Sequence, residues 1–96
     1  MQKDEVILQV IQKFITFVKD KFQGNEKLIE ECDKLNNYSA QEMKQYVKTY
    51  LRPFKGQMDV FATFTMQYYG VEKKDIEADD WEKFKKYFDV FIKVCE

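Results

Sequence analysis

The sequence predicts an all-α domain, a compact bundle of four to five helices spanning residues 1–96. Three observations predict it. Three glycines and one proline leave too little turn chemistry for a small multi-stranded β fold. Apolar residues recur at helical spacing over residues 4–22 and 80–95. Between Gly56 and Val71 the chain carries one charged residue, Asp59, although 34% of the sequence is charged. That depletion predicts that residues 57–69 form a central helix wrapped by the others.

The first helix is expected over residues 4–22. Asp4 is a candidate N-cap and Gly24 a candidate stop. At 100° per residue, its Val, Ile, Leu and Phe side chains fill an arc of roughly 200°. A short second helix follows from Asn25, a good cap, to about Leu35. Leu28, Ile29, Cys32 and Leu35 give it a single narrow stripe, and Asn36-Asn37 ends it. The third helix, residues 40–52, opens on a capping box. Ser39 and Glu42 stand at the S-x-x-E spacing that lets hydroxyl and carboxylate satisfy each other's orphan amides. Pro53 breaks or kinks the chain, with Arg52 marking the end. The fourth helix ends at Tyr69, with Gly70 as its C-cap. The fifth is expected to open at Asp79, with Asp79 and Glu82 in capping-box positions. Trp81, Phe84, Phe88, Phe91 and Cys95 then repeat at 3, 4, 3 and 4.

Helices 4–22 and 80–95 each show about twice the apolar width that an outer helix of a small globule needs. The expectation is that this surplus meets a protein partner or a second copy of the chain. Leu8, Ile15, Phe17, Trp81, Tyr87 and Val94 are the candidate interface residues. Trp81 has an equally simple role as a staple for the start of the last helix.

Catalysis is disfavoured, because the chain has no histidine. Its absence removes the commonest general base, the commonest zinc ligand and every Ser-His or Cys-His pair. No glycine-rich phosphate loop is present. Neither a cofactor nor a metal is expected. Asp75, Glu77 and Asp79 mimic the first ligands of an EF-hand loop. Asp80 and Lys86 then stand where that loop needs Gly and Glu, so the match fails.

Lys44, Lys48, Arg52 and Lys55 follow 4, 4 and 3 spacing and make a basic ridge on helix 40–52. The ridge is the alternative site, for nucleic acid or phosphate. A net charge of −1 argues against it. Phe61, Phe64, Phe84 and Phe88 are candidates to line a pocket for an apolar small molecule.

Cys32 and Cys95 make no CxxC, and two small buried hydrophobes explain them better than a disulfide. The apolar stretch 6–18 is interrupted by Gln9, Gln12 and Lys13 and preceded by Asp4 and Glu5, unlike a secretory signal. No run reaches the about 18 apolar residues of a membrane span. The expected setting is the cytoplasm or another intracellular reducing compartment.

The stretches IQKFITFVKDKF and YVKTYLRPFKGQ resemble sequences of small helical proteins encoded by large DNA viruses of eukaryotes. A surplus of Lys, with fifteen Lys to one Arg, accompanies that likeness. It implies a viral or host-interaction setting and assigns no functional residue.

Overall fold

The computed structural model describes residues 3–96 and builds five α-helices among them. They are α1 (Lys3–Lys21), α2 (Glu26–Asn36), α3 (Ala40–Tyr46), α4 (Met58–Tyr68) and α5 (Ala78–Val94). The expected all-α bundle is therefore what the chain forms. Its radius of gyration is 12.8 Å, against about 12.5 Å for a compact chain of this length.

Local chemistry sets most of the boundaries. Asn25 caps α2 through its side-chain oxygen, which accepts from the Leu28 amide at 3.0 Å. Its Nδ2 also donates to the Tyr69 carbonyl at 2.8 Å. One side chain thus ties the start of α2 to the end of α4. We expect Asn25→Ala to cost about 2 kcal/mol and Asn25→Ser, which keeps the cap and loses the reach, about 1 kcal/mol. Urea unfolding measures both; equal losses would show that the bond to Tyr69 contributes nothing.

The capping box of α3 is present in both directions. The Glu42 amide donates to Ser39 Oγ at 3.1 Å, and the Ser39 amide to Glu42 Oε1 at 3.0 Å. Beyond Tyr46 the helix widens into a π-helical turn, Val47–Leu51, where the Arg52 amide reaches back to the Val47 carbonyl. A 3-10 turn, Arg52–Phe54, follows. Pro53 supplies the reason. It has no amide to donate, and its ring would collide with the carbonyl four residues back in a regular helix. Widening the turn relieves that clash. Gly70 at φ +74° closes α4 by donating to the Gln67 carbonyl, while Val71 donates to Met66. This is a Schellman closure that a Cβ at Gly70 would strain. The fifth helix differs from expectation. It opens at Ala78 with Glu77 at the N-cap, and no side chain caps it.

The core lies between α1 and α5, with α2 and α3 packed against α1. Ile7, Ile11 and Val18 of α1 are sealed, as are Met43, Val47 and Leu51, and Phe84 and Phe91 of α5. Phe14 is the hub. Its ring centroid lies 5.8 Å from Phe84, 5.4 Å from Tyr87, 5.7 Å from Phe88 and 5.4 Å from Phe91.

The expectation that residues 57–69 form the central helix is corrected. On α4 only Met58, Ala62 and Met66 are buried, one stripe at i, i+4 and i+8 that packs toward α5. The broad arcs of α1 and α5 already fill the centre. Ala62, fully buried, lets α4 approach α5 closely with little bulk. Lack of charge on a helix does not oblige it to be enclosed, since much of any folded surface is apolar.

Candidate functional site: the outer face of α4

Two residues of helix turn the chain through 200°. The residues two positions beyond each member of the buried stripe of α4 are Val60, Phe64 and Tyr68, so these lie on nearly the opposite side. They are 42%, 60% and 74% exposed. Five large hydrophobic side chains are exposed among the described residues, and these are three of them. Spaced one turn apart, they form a ridge about 12 Å long. The Tyr68 ring stands edge-on to Tyr69 at 5.0 Å, which fixes the ridge at its C-terminal end.

The helix has one charge, and it is tethered. Asp59 Oδ1 accepts from Trp81 Nε1 at 3.0 Å and pairs with Lys85 Nζ at 3.2 Å. Lys85 also pairs with Glu82 at 3.0 Å. The Trp81 bond, helped by Lys85, holds the Asp59 carboxyl below its ordinary value of 3.8. A carboxyl lowered by folding stabilises the fold above its unfolded pKa, and that contribution is lost as pH falls through the folded value. Denaturant midpoints should therefore fall on acidification below about pH 4. They should fall less steeply in Asp59→Asn; an identical pH slope would remove Asp59 from the account.

The six residues singled out from the sequence as interface anchors divide. Leu8 is 42% exposed, and Tyr87 and Val94 are half-buried. Ile15, Phe17 and Trp81 are buried, so they offer no surface to a partner. The reason is visible at Phe17 and Tyr87, whose rings pack against each other at 5.5 Å across the α1–α5 seam. Tyr87 also donates to the Lys13 carbonyl at 3.4 Å. The surplus width of those two helices is largely consumed by their contact and by α2 and α3. Of the five large hydrophobic side chains left outside, Val60, Phe64 and Tyr68 share one helix face, whereas Leu8 and Tyr50 stand on other elements. The regular spacing of those three was the available signal, but the equal spacing of Met58, Ala62 and Met66 concealed which stripe faces in.

The basic ridge is broken up. Lys44 pairs with Asp4 at 3.1 Å and Lys55 with Glu96 at 2.8 Å. Among the described residues, Lys48 and Arg52 are exposed and make no ion pair. The π-helical turn also removes the regular spacing that would align all four.

Phe61, Phe84 and Phe88 line a chamber of about 90 Å³, while Phe64 points away from it into the exposed ridge. Cys32 and Cys95 are both unbridged; burial pushes the Cys32 thiol up to about 11 and raises Cys95 as well. Neither is an activated nucleophile. Among the described residues, no group of three or more Cys, Asp or Glu is placed to hold a metal ion, and no helix is long and apolar enough to cross a membrane.

Comparison with known proteins finds no matching family model, no matching curated protein and no matching solved structure.

Proposed function

We propose that this chain is a non-catalytic helical interaction module or small complex subunit, and that its contact surface is the outer face of α4. The observation that carries the reading is the exposed ridge of Val60, Phe64 and Tyr68. Scattered single apolar residues on a surface need no explanation, whereas a contiguous set marks a contact. The ridge has the i, i+4, i+8 register by which one helix lies in the groove of another. Gln57, the N-cap of α4, and Gln67 on it are uncharged, so they add no charge beside the ridge.

The missing histidine and the high-pKa thiols support a role without catalysis. Two unbridged cysteines suit an intracellular reducing compartment. The viral resemblance would set the contact in a viral or host-interaction context.

Phe64→Glu with Tyr68→Glu tests the proposal, because both residues are exposed and the fold should tolerate them. Sedimentation and a quantitative pull-down from the native source are compared for wild type and variant. The expected result is an assembly, with self or with a partner, that the variant loses. A wild type that stays monomeric at high concentration and captures the same proteins as the variant would overturn it.

A further inference from the structure

The chamber behind α4 supports a second and separate role. Leu28 and Cys32 of α2, Leu51 of the π-helical turn, Phe61 of α4, and Phe84 and Phe88 of α5 enclose it. Its volume is about 90 Å³. Close-packed interiors rarely leave voids larger than a water molecule. An engineered apolar cavity of about 150 Å³ binds benzene or xenon. This chamber is smaller than that and several times what one water needs. Its walls are chiefly rings and aliphatic chains, and the lining includes the exposed side chains of Glu31 and Lys34.

The polar groups are few and grouped. Tyr38 and Thr65 are on the lining, and so are Tyr46 and Tyr69. Burial raises the last two, Tyr46 to about 12, so both are neutral donors at physiological pH. Among the described residues, the tyrosine hydroxyl that bonds to another residue is that of Tyr87, which is not on the chamber's lining. The two charged residues on the lining, Glu31 and Lys34, neutralise each other at 3.1 Å. A charged guest would find no unmatched partner there. An uncharged guest would find apolar walls and a phenol donor.

The geometry points to a binding site for a small uncharged molecule with an apolar ring and one hydrogen-bonding group, held ring-inward between α2, α4 and α5 with its polar group at Tyr46. The exposed ridge is a separate surface, since Val60, Phe64 and Tyr68 are not on the chamber's lining.

Phenol and benzene are the probes, titrated into the intact protein and followed by methyl NMR and thermal unfolding. Both should shift the methyl signals of Leu28, Met43 and Leu51 and raise the melting temperature. Tyr46→Phe should weaken phenol about fivefold and leave benzene unchanged. Cys32→Leu, which fills the chamber, should abolish both responses. Absence of methyl shifts in the wild type up to the solubility limit of benzene overturns the proposal. So does phenol binding that survives Tyr46→Phe and Cys32→Leu undiminished.

Discussion

Replacing Phe14 by alanine should cost about 3–5 kcal/mol, one of the two largest losses we expect from a single substitution. The residue is buried, and four rings of α5 stand within 5.8 Å of its centroid. Two of those pairs, with Tyr87 and Phe91, are edge-on, the arrangement the ring quadrupole favours. Truncation removes the transfer energy of the ring and leaves a hole that four rigid neighbours cannot collapse into. A domain of this length has a total stability of about 5–14 kcal/mol. Phe14→Ala should thus lower the melting temperature by roughly 12–40 °C. Phe14→Leu, which keeps most of the volume, should cost much less. A loss below about 1.5 kcal/mol for the alanine variant would mean that the α1–α5 seam is not the centre of the fold.

Trp81 is the second such position. The sequence leaves it as either a partner anchor or a staple, and the structure buries it against Phe84 with centroids 6.5 Å apart. Lys73 Nζ sits 5.0 Å above the ring from the preceding 3-10 turn, Lys73–Asp75. Trp81→Ala should cost about 3–5 kcal/mol. Trp81→Phe separates the two parts of that loss. It keeps an aromatic body on Phe84 but removes the donor to Asp59, so the Asp59 carboxyl should move up toward its ordinary value in an NMR titration. If Trp81→Ala left stability intact and only weakened partner capture, the staple would be wrong and the anchor right.

These expectations show which parts of the structure can be read from sequence. Caps and breakers act within three or four residues, so Asn25, the Ser39–Glu42 box, Pro53 and Gly70 announce their helix ends directly. Asp79 misleads because several acidic residues crowd one turn, and the chain enters helix at Ala78 with Glu77 before it. The inward side of α1 is legible because its polar residues gather on one flank. The orientation of α4 is not. Met58, Ala62 and Met66 oppose Val60, Phe64 and Tyr68 across the axis, so the two stripes cancel and the pattern has no direction. Lost with that direction was the candidate site, since reading α4 as enclosed shifts the surplus apolar surface onto α1 and α5, where Phe17 and Tyr87 in fact cover each other. The π-helical turn was equally hidden. The sequence places a fault at Pro53, but how the backbone absorbs it depends on Val47 and Leu51 being pulled into the core.

The sparse charge on α4 carries a consequence for how any contact made there behaves. With Asp59 already engaged by its own molecule, few counterions would be released or recruited when the ridge is covered. Binding strength should stay flat between dilute buffer and molar sodium chloride apart from weak salting-out, and it should loosen in the cold room, because burial of apolar surface is the driving force that fades on cooling.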